Sequence, residues 1–164
     1  MIFAAAASRL CPHLPNFTPI AAMALFGGAH FADKRLAFGV PLLALLLSDA
    51  VQGFHSGLLS VYGSFVLIVV LGFGLRSNRA ILPVAGTALA GSLLFFVITN
   101  FAVWAAGMLY PRTSAGLVEC YVAALPFFRN TLTGDAFYTA VLFGGFALAQ
   151  RRWPALAATA PGMA

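Results

Sequence analysis

The sequence predicts an all-α membrane protein, specifically a six-helix transmembrane bundle. Of its 164 residues, 62% are hydrophobic and only 8% are charged, which lies outside the usual composition of soluble domains. Long apolar stretches recur along the whole chain, as they do in proteins that cross a membrane several times as helices. The length fits one domain over residues 1–152, followed by a frayed tail over 153–164.

The apolar segments predict where the six helices lie. They are placed at about 1–10, 20–31, 36–54, 58–75, 80–107 and 135–150. Pro12, Pro15 and Pro19 make the first connection a stiff extended loop. Residues 110–134 are more polar, and we interpret them as an outer connection that contains a short or re-entrant helix at 115–128. The loops at 10–18 and 107–133 would form a lid over the binding site.

The basic residues predict the orientation of the bundle. They occur on alternate connections and at the C-terminus, at Lys34, Arg35, Arg76, Arg79, Arg151 and Arg152. Because cytoplasmic loops of membrane proteins are enriched in Lys and Arg, this side and both termini are predicted to be cytoplasmic. The same distribution explains the net charge of +5 without a nucleic-acid partner, since the basic residues form no single stripe.

One carboxylate stands out inside an apolar segment, at the outer end of the third predicted helix. Asp49 would cost about 2.5–3.5 kcal/mol at the bilayer centre if it were ionised, and less near the interface. Gln52 follows three residues later and shares its helix face. Two interpretations stay open and are compatible. Asp49 pairs with an outer arginine and joins helices, or it binds a ligand or an ion.

A second polar group precedes the sixth predicted helix and contains Arg129, Asn130 and Asp135. Asp135 would lie in the first turn of that helix behind Thr133, where a carboxylate favours the helix dipole. Arg129 is expected either to pair with a carboxylate of the protein or to bind a carboxylate or phosphate on a ligand.

The fifth predicted helix carries Asn100 and Trp104 on one face, four residues apart. Trp104 fits a membrane-interface belt or a ring stacked on a planar ligand. The residues predicted to bind a small molecule are therefore Asp49, Gln52, Asn100, Trp104, Tyr121, Arg129, Asn130 and Asp135. No cofactor and no metal site is predicted, because the cysteines and histidines lack metal-ligand spacing.

Several stretches of the sequence resemble one family. They are PHLPNFTPIAAMALFGGAHF, LLALLLSDAVQGFHS, VYGSF, ITNFAVW and YPRTSAGLVECYVAALPFFRNTLTGDAFYTAVLFGG, which span most of residues 9–150. The family is a domain-of-unknown-function family of small bacterial integral membrane proteins. Its layout is similar to that of the S components of energy-coupling factor vitamin transporters, including the solitary cobalamin-binding one. Neither Cys11 nor Cys120 matches the cobalt-ligating cysteine of that last protein.

This resemblance implies a multi-pass protein of the bacterial inner membrane that binds a vitamin or a related metabolite near its outer face for uptake. Its partners would be the small molecule, membrane lipid and an energy-coupling ATPase module. Two alternatives stay open. One is a membrane-embedded enzyme that uses Cys120 with Glu119 and a histidine, and the other is a non-catalytic membrane scaffold.

Overall fold

The computed structural model describes residues 16–53 and 57–153, and these residues form helices and no strands. The described residues form five helices, so the predicted count of six is not supported. The first predicted helix, at 1–10, and the predicted tail after residue 153 lie outside the described residues. The helices are α1 Ile20–His30, α2 Lys34–Gln52, α3 Leu58–Phe73, α4 Ile81–Ala106 and α5 Ser114–Arg152.

The largest correction concerns the second half of the chain. Residues 110–134 were predicted to be mainly a connection, with a new helix beginning at Asp135, but α5 runs through both segments. The helix contains Pro126 and a π-helical segment at Ala140–Gly144, but it continues through both. The polar residues fit inside the helix because the hydroxyls of Thr131 and Thr133 bond to carbonyls of their own helix. Asp135 is therefore not in a first turn, and a lid over 107–133 does not form.

The shortest helix is the centre of the packing. α1 is apolar on all sides, and nine of its eleven residues are buried, as expected for a helix enclosed by others. It crosses α3 where Gly28 meets Gly72. A Cβ atom on Gly72 would lie 2.5 Å from the carbonyl oxygen of Leu25, so the two backbones come together at a distance that only glycine permits.

The predicted cytoplasmic arginines meet at one end of the bundle, which we name the basic end. Arg76 donates to the carbonyls of Gly28 and Phe31, and Arg79 donates to the carbonyl of Ala29. These bonds satisfy carbonyls at the C-terminus of α1, where positive charge is also favoured by the helix dipole. Burial and then the nearby charge of Arg76 lower the pKa of Arg79.

Two helices are long and apolar enough to cross a membrane. α4 has a mean hydropathy of 2.2 and α5 one of 1.3 over their most apolar windows, and only 17% and 22% of those windows are buried. A core helix of a soluble protein of this kind would be mostly buried, whereas these helices expose their apolar side chains. Leu89 and Val97 on α4 and Val118 on α5 are among the exposed ones, and α2 and α3 also expose apolar side chains such as Leu47 and Val70. Such a surface is suited to lipid.

Candidate functional site

A cleft opens between α1, α3, α4 and α5, on the side of the bundle away from the basic end. Its volume is about 280 Å³, and a neighbouring space of about 110 Å³ shares four of its lining residues. We call the two together the polar cleft. Phenyl rings and polar groups both line it, including Phe65, Phe95, Asn16, Thr99, Thr131 and Asp135.

Three walls of the polar cleft contribute polar groups, an amide from the segment before α1 and one hydroxyl each from α4 and α5. Asn16 precedes α1 and has a φ of 64°, a left-handed conformation that asparagine tolerates better than most residues. Thr99 comes from α4 and donates its hydroxyl to Phe95 of the same helix at 2.7 Å. Thr131 does the same on α5, to Phe127 at 3.2 Å. Because these hydroxyl oxygens keep free lone pairs, the cleft can accept hydrogen bonds from a ligand between aromatic surfaces.

Asp135 forms the floor of the polar cleft. It is 5% exposed, and its Oδ2 atom lies 2.6 Å from the hydroxyl of Ser92 on α4. This is its one hydrogen bond within the described part of the chain, where it has no cationic partner. A buried carboxylate without a cation is costly in an apolar interior, so its presence in a helix that is apolar enough to cross a membrane marks a candidate site.

A second cavity lies behind Asp135, between α4 and α5. This lateral groove has a volume of about 710 Å³ and is lined mainly by apolar side chains such as Val84, Leu89 and Leu132. It extends from Asp135 and Thr139 to Arg79 and Arg151 at the basic end. The polar cleft and the lateral groove therefore share Asp135 as a wall.

Of the residues predicted to bind a ligand, the structure brings two to the polar cleft, Asp135 and Asn100. Asn100 donates its side-chain amide to the carbonyl of Phe96 at 2.8 Å. Trp104 and Tyr121 instead join α4 to the start of α5. The Trp104 ring nitrogen donates to the carbonyls of Pro111 and Thr113, and the Tyr121 hydroxyl donates to that of Val97 at 2.7 Å.

The other predicted residues lie away from the polar cleft. Asp49 is buried on α2 and accepts a hydrogen bond from the Tyr62 hydroxyl of α3 at 3.0 Å, which joins these two helices. Arg129 is exposed on α5, and Asn130 beside it is half-buried. Neither of them lines a cavity found among the described residues. The side chain of Gln52 lies outside what the structure describes.

The residues of the enzyme alternative are not arranged for catalysis in the described ranges. The Cys120 thiol is buried and donates to the backbone carbonyl of Asn100 at 3.4 Å. Glu119 is exposed. His30 is the one histidine in the described ranges, and it stacks on Phe26 near the basic end. Within residues 16–53 and 57–153, no hydrogen bond joins Cys120 to Glu119 or to His30.

The sequence interpretation missed six uncharged polar residues of the two cavities: Asn16, Thr18, Ser92, Thr99, Thr131 and Thr139. Asn16 and Thr18 precede α1, and the other four are hydroxyl residues inside apolar helices, where serine and threonine are common and give no distinct signal. A signal did exist for two of them. Ser92 lies two helical turns before Asn100 on α4, and Thr131 lies one turn before Asp135 on α5, so each is near a face that carries a selected residue.

The fold and the cavities define a helical protein with two helices suited to cross a membrane and a buried carboxylate between two cavities. The chain belongs to the family of unknown function DUF6580, whose family model matches residues 1–156. No curated protein and no solved structure matches the chain. Membership in a family of unknown function is thus confirmed, whereas the likeness to vitamin-transporter S components and the bacterial origin stay predictions.

Proposed function

We propose that this protein is a multi-pass membrane protein that binds a small molecule in the polar cleft for uptake into the cell. The observation that carries the proposal is the composition of the cleft, in which phenyl rings face hydroxyl, amide and carboxyl groups within one concave space. Ligand sites in proteins have this character, with apolar walls and a few polar groups that fix orientation.

The size of the polar cleft restricts the ligand. Its two spaces, of about 280 Å³ and about 110 Å³, together lie near the lower end of the range for small-molecule pockets, about 300–1,000 Å³. This favours a metabolite with one or two rings over a molecule as large as cobalamin. Rings would stack on Phe65 and Phe95, and polar substituents would bond to Thr99, Thr131 and Asp135.

The orientation follows from the basic end. Arg76, Arg79 and Arg151 gather there, and the positive-inside rule assigns such an end to the cytoplasm. The polar cleft would then open toward the outside of the inner membrane, as an uptake protein requires. An ATPase module remains the proposed source of energy, in line with the S-component likeness.

The proposal is tested by a thermal-shift screen of the purified protein in lipid nanodiscs against vitamins, their precursors and nucleoside-like metabolites. A ligand at 100 times its Kd stabilises a protein by about 2.7 kcal/mol. Each hit is repeated on Thr131→Val, which removes a hydroxyl from the polar cleft. The matched control is Thr133→Val, two residues away on the same helix but exposed.

We expect Thr131→Val to weaken binding by about tenfold, the value of one hydrogen bond of about 1.4 kcal/mol, and Thr133→Val to leave it unchanged. Asn16→Gly provides a second variant that removes the amide while retaining the left-handed backbone. Equal affinities in the wild type, Thr131→Val and Asn16→Gly would show that ligands bind elsewhere. A screen without hits would remove the uptake proposal.

A further inference from the structure

Asp135 lies where three cavities meet. It lines the polar cleft, the lateral groove and a small void of about 10 Å³ between α1, α3, α4 and α5. The void has roughly the volume that a single water molecule needs. A carboxyl group in this position is reachable from two sides of the bundle, although 95% of its surface is covered by protein.

The hydrogen bonding of Ser92 admits two protonation states of Asp135. The Ser92 hydroxyl oxygen lies 3.1 Å from the carbonyl of Ala88 and 2.6 Å from Asp135 Oδ2, but a hydroxyl has one hydrogen to donate. When Asp135 is ionised, Ser92 donates to the carboxylate. When Asp135 carries a proton, Asp135 donates to Ser92 and Ser92 donates to Ala88. The two states differ by one proton and a rotation of one hydroxyl.

Thr139 supplies an independent observation one turn further along α5. Its hydroxyl is the one buried side-chain oxygen without a hydrogen-bond partner in the described ranges, and the residue is 6% exposed. It lines both the lateral groove and the small void. An unpaired hydroxyl is costly when buried, so a water in the void, within reach of Thr139 and Asp135, would satisfy it and would carry a proton to the carboxylate.

No cation pairs with Asp135 among the residues that the structure describes, so a proton is the counter-charge available to it there. On α4 it faces Ser92, and α1 presents no titratable side chain before His30 at its far end. From α3 the polar cleft receives Val61 and Phe65. Arg79 and Arg151 share the lateral groove but lie at its basic end.

We propose that Asp135 is a reversible proton-binding site that exchanges protons through the polar cleft and the lateral groove. A hydronium ion or a buried water donates the proton, an O–H bond forms at Oδ2, and the donor leaves as water or is reprotonated by bulk solvent. The coupling of this proton to a ligand in the cleft rests on the proposed function, whereas the proton site itself does not.

The test is isotope-edited infrared spectroscopy of the protein in nanodiscs, with ¹³C-labelled aspartate and a pH titration over the range in which the protein stays folded. We expect a protonated-carboxyl band that rises and falls with pH and disappears in Asp135→Asn. In Ser92→Ala the band should shift in frequency, because its hydrogen bond is lost. The matched control is Asp49→Asn, which alters the other buried aspartate and should leave the band in place.

Three results would overturn the proton site. In the first, the Asp135 carboxyl group stays protonated over the whole pH range of the titration. In the second, it stays ionised over that range. In the third, the titrating band persists in Asp135→Asn. Ligand screening is a separate measurement. A titrating Asp135 without any cleft ligand would retain the proton site and remove the uptake function. A cleft ligand that binds without proton uptake or release, measured by calorimetry in buffers of different ionisation enthalpy, would remove only the coupling.

Discussion

Asp49 and Asp135 are two carboxyl groups buried to nearly the same extent, with 2% and 5% of their surfaces exposed, but their surroundings differ. Asp49 lies near the C-terminal end of α2 and accepts a hydrogen bond from Tyr62, and it lines none of the cavities found among the described residues. Asp135 lies inside α5 and faces the polar cleft and the lateral groove. Burial alone therefore does not distinguish a carboxyl group that joins helices from one that lines a binding site. The two groups are distinguished by whether a cavity lies next to them.

The largest expected effect on stability comes from Asp49→Ala. The Tyr62 hydroxyl would lose its acceptor in a partly buried position. A buried hydrogen-bond donor left unsatisfied lowers the free energy of unfolding by about 1–3 kcal/mol. Equilibrium unfolding in detergent with a chemical denaturant measures this. A loss smaller than that caused by Asp135→Ala would reverse the assignment of Asp49 as the structural carboxylate.

A smaller effect is expected from Tyr62→Phe, which removes the same hydrogen bond but retains the ring. Side-chain hydrogen bonds in membrane proteins contribute about 0.6 kcal/mol on average and at most about 1.7 kcal/mol. The double variant Asp49→Ala with Tyr62→Phe then gives the coupling between the two residues, because each single change removes the hydrogen bond. Strict additivity of the two single changes would show that this pair does not join α2 to α3.

Asp135→Asn should change the free energy of unfolding by less than about 1 kcal/mol, because an amide can still bond to Ser92. The same variant should lose ligand affinity in the thermal-shift assay. Asp49→Asn provides the comparison and should retain that affinity. If Asp49→Asn abolishes binding while Asp135→Asn does not, the ligand site lies at the end of α2. The polar cleft would then be a space between the helices that binds no ligand.

The smallest effect is expected from Thr139→Val, which replaces an unpaired hydroxyl with a methyl group of similar shape. Stability should stay within about 1 kcal/mol of the wild type, since the bond to a water in the small void is lost together with the cost of burying the hydroxyl. Thermal unfolding in the absence of ligand measures this. A loss well above that value would mean that Thr139 contributes mainly to the packing of the bundle.

The sequence alone predicted the helical class and the positions of α1 to α4 to within a few residues, because long apolar segments and proline or glycine breaks are local signals. It also predicted the basic end. Residues Arg76, Arg79 and Arg151 occur at the ends of apolar segments, and charged residues in a chain of this composition collect at one side for reasons of solvation. That prediction required no knowledge of how the helices pack.

Only the tertiary structure decided which polar residues meet. α5 continues through a polar segment because its threonines bond to their own helix, and this moved Asp135 from a helix start into the interior. Asp135 then reaches Ser92, which is 43 positions away in the chain. Such a pairing depends on the rotation of two helices against each other, and hydroxyl residues carry too little signal in an apolar helix to reveal it. Composition determined that the protein is helical and apolar, whereas packing determined where its one cavity-facing carboxyl group lies among the described residues.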